Sequence, residues 1–317
     1  MDDLLLKAVL VAIVVVLILQ LVQVVSAGGG NKGTGELESH DDISVGLRRE
    51  SLFKSVANLL SSSKPGSVLS STEWTPFELV SSSMASHNTV LLRFEVPGGK
   101  ALSLPIGRHL SIRAEIDGNF VQRPYTPTSD PDQTGYFELL VKVYDLGKMS
   151  SHLHRMRRGD CVDVRGPVGR FKYTANQYKS IGLVAGGTGL TPCLQVVRSV
   201  LEGNRSAYKE DTTKFVLYYQ NRKEEDILLR SDLDSLVEKH GDRFTLVYFL
   251  SNPTTKDWGQ SKKRSNEKRG YIAKADMQKL APPGCGLVCV CGPSGFNRAM
   301  RDLMAEVGHT KESIYTW

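Results

Sequence analysis

The segment Arg123-Pro124-Tyr125-Thr126-Pro127-Thr128-Ser129 joins a cation, an aromatic ring and hydroxyls on a stretch stiffened by two prolines. An arginine fork matches the oxygens of a diphosphate, and a tyrosine ring can lie along a planar heterocycle. Downstream, Gly147-Lys148-Met149-Ser150 opens a helix-like run, with Ser150 expected at the N-cap. The free amides of a helix start attract anions. A third turn, Gly186-Gly187-Thr188-Gly189, follows the apolar run IGLVAG. Its glycines let backbone approach a pyrophosphate. Thr191 is expected at the N-cap of the next helix and Pro192 at its first position, where a missing N–H costs nothing. The usual dinucleotide fingerprint has glycine where Pro192 stands, so this turn alone fits any tight strand-to-helix connection. Finally, Cys291-Gly292-Pro293-Ser294-Gly295-Phe296 lies between a strand-like run and a helix-like one. Ligands bind at the carboxyl edge of a parallel sheet. Taken alone, Cys291 reads as a small buried hydrophobe ending a strand.

Two kinds of scaffold must hold these groups. From residue 72 to about 175, short β-type runs (VLLRFEVPGG, HLSIRAEIDGNF, GYFELLVKVY, DCVDVRGPVGRF) alternate with turns, predicting an antiparallel β-barrel. One helix interrupts it, KMSSHLHRMRRG over 148–159. From 176 to 317 the runs IGLVAG, KFVLYYQ, FTLVYFL and GLVCVCG alternate with TPCLQVVRSVLEG, RSDLDSLVEKHG and NRAMRDLMAEVG. That is the rhythm of an α/β domain with a parallel sheet.

The amino end is of another character. Residues 4–25, LLLKAVLVAIVVVLILQLVQVV, carry one charge, Lys7. As a helix they would reach across the ~30 Å of a bilayer core. The small residues Val25-Ser26-Ala27 resemble a signal cleavage site. The length of the run, and Asp2 and Asp3 where a signal carries positive charge, favour a retained transmembrane anchor over residues 1–27. Residues 28–71 read as a Gly/Ser-rich linker containing an amphipathic run at 48–60, either a helix whose Arg48, Arg49 and Lys54 would face lipid headgroups, or a short helix docked on the protein or a disordered stretch. The net charge of +6 points weakly to an acidic partner or membrane and gives no reason to expect nucleic acid. Five cysteines form neither a disulfide framework nor a CxxC metal motif, which fits a reducing cytosol and no bound metal. His152 and His154, two apart on a helix, face different ways. His109 is expected in the packed core, and Asp226 and Asp232 as caps or solvated residues of the following helix.

In this order and spacing, RPYTPTS, GKMS, GGTGLTP and CGPSG resemble the ferredoxin-reductase-like flavoenzymes, and among them the NADH–cytochrome b5 reductases. The likeness runs from residue 72 to 317 and extends to LLVKVYDLGKMSSHL, VDVRGPVGRF and DILLRSDLDSL. It implies an FAD-binding β-barrel and an NAD-binding α/β domain. It implies an enzyme that takes a hydride from NADH and passes single electrons to cytochrome b5 or a similar acidic haem protein. By position, Arg123, Pro124, Tyr125 and Thr126 match the segment holding the flavin and its diphosphate, while Leu140 and Lys142 match the strand beside it. Lys148, Met149 and Ser150 match a second diphosphate contact, and Thr191 a position that also reaches FAD. Gly186, Gly187, Thr188 and Gly189 match the NADH pyrophosphate turn. Cys291, Gly292 and Pro293 match the nicotinamide wall. The catalytic candidates are Thr126, Lys142 and Cys291, with Lys142 and the RPYT amides stabilising negative charge on reduced flavin.

Three departures qualify what the resemblance implies. Asp145-Leu146 replaces a longer hairpin that supplies adenine-side contacts in related enzymes. Ser251-Asn252 stands where an acidic residue often bonds the adenosine ribose, and a basic insert, SKKRSNEKR over 261–269, follows. That insert either solvates a loop or welcomes a 2′-phosphate, which leaves NADPH open beside NADH. The chain ends in Trp317 rather than phenylalanine; the ring either shields the flavin or packs on the barrel. With no haem or iron–sulfur motif in the chain, the acceptor is another molecule. Lys148, Arg155, Arg157, Arg158 and Arg165 are candidates to steer it. A different acceptor, or a non-catalytic flavoprotein redox sensor, is the alternative. Localisation is expected at the cytosolic face of the endoplasmic reticulum or the mitochondrial outer membrane.

Overall fold

Hydrophobic alternation in the first half produces one six-stranded antiparallel sheet. Its strands are β1 (Thr75–Ser86), β2 (Thr89–Glu95), β3 (His109–Ile116), β4 (Asn119–Tyr125), β5 (Tyr136–Lys142) and β6 (Cys161–Val168), in the order β4-β3-β6-β1-β2-β5. The computed structural model describes residues 68–203, 206–260, 266–280 and 286–317. The expected anchor, the amphipathic run at 48–60 and residues 28–67 of the expected linker lie outside them; the last linker residues, 68–71, are described, and Leu69 among them is buried in the core of the first sheet. Among the described residues no helix is long and apolar enough to cross a membrane.

Val90, Leu92 and Phe94 of β2 sit opposite Val141, Leu139 and Phe137 of β5, and all six are buried. The Phe137 ring stacks on Phe94 at 5.3 Å and meets Phe77 edge-on at 5.4 Å. Aromatic pairs of this kind add to the free energy of burial alone. The expected antiparallel barrel therefore takes the form of an antiparallel sheet with β4 and β5 as its outer strands. β1 and β4 were not among the expected strands. The run SSSMAS in β1 lacks apolar alternation, and β4 ends in the proline-bearing RPY. An outer strand tolerates proline because no neighbour needs its missing N–H. The one helix, α1 (Lys148–Arg155), falls within the expected run.

The second half is a parallel sheet, and its strands are apolar on both faces as such sheets require. In chain order it contains β7 (Ser180–Gly186), α2 (Leu190–Leu201), β8 (Lys214–Asn221), α3 (Arg230–His240), β9 (Phe244–Leu250), β10 (Glu267–Arg269), α4 (Lys274–Leu280), β11 (Gly286–Cys291), α5 (Ser294–Glu306) and β12 (Ile314–Thr316). The sheet order is β10-β9-β8-β7-β11-β12, parallel throughout. Leu183 and Ala185 of β7 face a core shared with α2, while Val184 joins Met300 and Met304 of α5 on the other side.

The caps differ from expectation. Gly147, not Ser150, is the N-cap of α1, and Gly189, not Thr191, is that of α2. Both hydroxyls lie one turn further in and bond backward. Ser150 Oγ donates to the Gly147 carbonyl at 3.1 Å and accepts the Tyr144 N–H at 3.2 Å; Thr191 Oγ1 donates to the Thr188 carbonyl at 3.2 Å. Pro192 remains inside the first turn, where no backbone acceptor awaits an N–H. The basic insert is no mere solvated loop either. Its last three residues are β10, where buried Glu267 meets Arg230 at 2.7 Å. Lys268 bonds Asp276, and Arg269 bonds the Thr255 carbonyl at 2.9 Å. Residues 261–265 lie outside the described set.

Truncating Phe137 to alanine should lower unfolding free energy by about 3–5 kcal/mol. A urea titration would show a lower midpoint with an unchanged slope.

Candidate functional site: a cleft between the two sheets

The two halves share a seam. Ile106, Leu140 and Phe171 of the first half join the apolar core of the second. Buried Gln195 of α2 accepts the Gly107 N–H at 2.8 Å and donates to the Arg108 carbonyl at 3.2 Å. Beside this seam opens a cleft of about 830 Å³, and its walls come from both sheets.

On the antiparallel side the wall begins with the end of β4. Pairing with β3 places Arg123, Pro124 and Tyr125 beside Ile112, Ser111 and Leu110, and Thr126 follows, buried. Arg123 is exposed and donates from Nη1 to the Gln122 carbonyl at 2.7 Å, which leaves most of its fork free for an anion. Burial pushes the Tyr125 hydroxyl up to about 12, so it stays a neutral donor at physiological pH. Leu140 and Lys142 border the cleft from β5, and Lys148, Met149 and Ser150 from the first turn of α1. Amides in that turn have no carbonyl four residues back to bond.

The other wall is the carboxyl edge of the parallel sheet. Gly187 has φ +55°, a conformation that side chains disfavour, and it turns the chain from β7 toward α2. A Cβ on Gly189 would stand 2.1 Å from the Cys291 carbonyl oxygen, so only glycine lets the two strand ends approach. This contact brings Thr188, Gly189 and Thr191 beside Cys291, Gly292 and Pro293.

All ten residues expected at the flavin thus border one cleft, with five of the seven expected at the pyridine nucleotide. Gly186 and Gly187 do not reach its wall. Gly186 ends the buried strand, and a Cβ there would touch the Phe296 ring at 3.0 Å. Among the further residues that border the cleft are His109, Tyr144, Leu146 and Trp317. His109 is half-buried rather than a core residue; burial and then Arg108 lower its pKa, which favours the neutral ring. Its one signal in the sequence is a titratable side chain at the start of a strand. Leu146, in the segment that replaces the longer hairpin, is 98% exposed. Trp317 donates from Nε1 to the Gly107 carbonyl at 2.9 Å and packs 5.4 Å from Phe171. The terminal ring therefore packs on the antiparallel half while bordering the cleft.

Asp232 stands in the first turn of α3 as expected, but Asp226 neither caps nor solvates that helix. Its carboxylate is mostly buried and accepts the Lys142 ammonium at 3.0 Å across the seam.

The comparisons agree with this geometry. Residues 76–173 match the oxidoreductase FAD-binding domain and residues 183–302 the oxidoreductase NAD-binding domain. The protein called NADH-cytochrome b5 reductase 1 in Dictyostelium discoideum is 40% identical over 77% of this chain and 82% of its own length. Its namesake in Mycosarcoma maydis is 38% identical over 82% and 78%. The chain belongs to the NADH–cytochrome b5 reductase family. Among solved structures, the cytochrome b5 reductase domain of Ulva prolifera nitrate reductase superimposes with a TM-score of 0.71 at 30% identity, over 80% of this chain and all of that domain. The CS-b5R domains of human Ncb5or, in the NAD+ form, give 0.65 at 28% identity, over 77% and 69%. FAD and NADH are accordingly the cofactors of this reductase.

The Cys291 thiol is pushed up to about 12 by burial, whereas Cys161 is exposed. Only a thiolate is a strong nucleophile. Iodoacetamide at pH 8 should therefore label Cys161 and leave Cys291 unmodified, as read by peptide mass spectrometry. Rapid labelling of Cys291 would contradict the buried placement of its sulfur.

Proposed function

We propose that this protein takes a hydride from NADH and delivers single electrons to cytochrome b5 or a similar acidic haem protein. The observation that carries this reading is the convergence of RPYT, GKMS, GGTG and CGP on one cleft. FAD, when bound, supplies the chemistry that couples a two-electron donor to a one-electron acceptor. The residues fit that cofactor. Arg123 and Lys148, with the opening amides of α1, offer charge and donors to a diphosphate. Tyr125 and Thr126 present a ring face and a hydroxyl beside it. Thr188 and Gly189 hold the pyrophosphate of NADH at the start of α2, and Cys291, Gly292 and Pro293 form the wall for nicotinamide. Catalysis then rests on juxtaposition, because holding two rings in reacting order replaces a bimolecular encounter. No acid–base pair is needed.

Arg155, Arg157 and Arg158 are exposed at the far end of α1, and Lys148 begins that helix. Together they steer an acidic partner toward the cleft rim, an effect that salt weakens. Arg165, in contrast, lies 4.6 Å from the ring of Trp74. We assign residues 1–27 as a membrane anchor and the following stretch as a tether. They would place the enzyme on the cytosolic face of the endoplasmic reticulum or mitochondrial outer membrane. An anchored acceptor would then meet it at raised effective concentration.

Coenzyme choice follows from the edge of the sheet. With Ser251 in place of a carboxylate, that position itself carries no charge to repel a 2′-phosphate, yet Lys268 and Arg269 are engaged within the fold. NADH is therefore the preferred donor, with NADPH used to a lesser degree.

Adding NADH to the purified yellow protein should bleach its flavin band within the mixing time of a stopped-flow instrument, and NADPH should do so more slowly. A colourless preparation that refuses added FAD would overturn the reading. Removing residues 1–27 should slow turnover with a membrane-bound cytochrome and spare reduction of a small soluble dye; equal loss for both would remove the anchoring role.

A further inference from the structure

An ion pair joins the two walls at the edge of the cleft. Lys142, the last residue of β5, lines the cleft and extends its ammonium to 3.0 Å from Asp226 Oδ1. The two side chains are 22% and 11% exposed, so water screens this pair less than a surface one. Asp226 also accepts the Lys223 N–H at 3.1 Å. His87, in the turn between β1 and β2, stands with Nε2 3.9 Å from the same carboxylate oxygen. Both basic side chains come from the antiparallel half, and the carboxylate from the turn after β8.

That turn is rigidly mounted. Glu224 accepts the Thr254 N–H at 2.9 Å, the Thr254 hydroxyl at 2.8 Å and the Thr255 N–H at 2.8 Å. Two residues beyond Asp226, the Leu228 N–H bonds the buried Tyr219 hydroxyl at 3.3 Å. Asp226 is thus not a mobile surface acid that happens to find a lysine. It is a fixed counter-charge, held by the second half against a cation that the first half presents to the cleft.

A cation beside a flavin favours the reduced, more negative form, and a carboxylate on that cation offsets the effect. We infer that Asp226 is a positioning residue that acts through Lys142, holding its ammonium at the cleft wall and setting how much positive charge bound flavin meets. This rests on the flavoenzyme reading above. It goes further by assigning the tuning of the flavin to a residue outside the cleft, on the half that binds pyridine nucleotide. In the same way it makes the alignment of the two halves and the potential of the flavin parts of one interaction.

The test is spectroelectrochemical titration of the FAD-loaded protein. Asp226→Asn should raise the midpoint potential by about 30 mV, a tenfold change in the reduction equilibrium of a two-electron couple. Lys142→Met should lower it by a similar amount, and the double variant should fall between the two. Asp226→Glu, which keeps the charge, should retain the wild-type value. Alongside, Asp226→Asn should raise KM for NADH several-fold more than it changes kcat, since the wall moves while the reacting rings remain. A yellow, NADH-reducible Asp226→Asn protein with an unchanged or lowered potential would overturn the inference and leave the flavoenzyme reading intact. If Asp226→Asn fails to fold, an unchanged potential in Lys142→Met is equally decisive against it. A wild-type protein that binds no FAD overturns both.

Discussion

Everything at the cleft depends on one buried amide. Gln195 sits in α2, deep between the two sheets, and both ends of its side chain are used by backbone of the other half. A buried amide left without partners costs on the order of 1–3 kcal/mol, so any slip of one sheet against the other meets that penalty twice. The apolar contacts of Ile106, Leu140 and Phe171 add attraction but little direction. The amide supplies the direction. The Trp317 bond to Gly107 secures the same loop from the far end of the chain.

With the seam fixed, each half contributes what its architecture offers. The antiparallel half ends an outer strand in arginine, proline and tyrosine, with Thr126 just beyond it, and presents side chains from strands that face both core and cleft. The parallel half offers backbone, because its turns all emerge at one edge and its helix starts point there. The near-contact of Gly189 with the Cys291 carbonyl brings two such turns together. One wall is therefore rich in side-chain charge and the other in amides, and the ion pair between Lys142 and Asp226 runs from one to the other.

Much of this was legible in local pattern. The runs IGLVAG, KFVLYYQ, FTLVYFL and GLVCVCG became β7, β8, β9 and β11 because continuous apolar stretches bounded by glycine and charge suit a sheet covered on both faces. β1 was missed because its outer half is serine on a solvated surface, and β4 because proline hides a strand that needs only one neighbour. The helix caps slipped by two or three residues because a glycine can begin a helix as readily as a hydroxyl further on. His109 and Asp226 illustrate a different failure. Neither belongs to the RPYT, GKMS, GGTG and CGP motifs that border the cleft, and each acquires its place from residues far away in the chain, the register of β3 in one case and Lys142 in the other.

The order of the motifs, their glycines and prolines, and the change from alternating to continuous apolar runs determined the two sheets, the family and the cofactors. Such features depend on the chemistry of neighbours in sequence, which the chain states outright. Which turn residues face the cleft, which lysine is paired, where the terminal ring rests and which glycine must be glycine were settled only in three dimensions. Those outcomes depend on distances between segments more than eighty residues apart, as with Gly107 and Gln195 or Lys142 and Asp226. Packing sets such distances, and no local pattern encodes them.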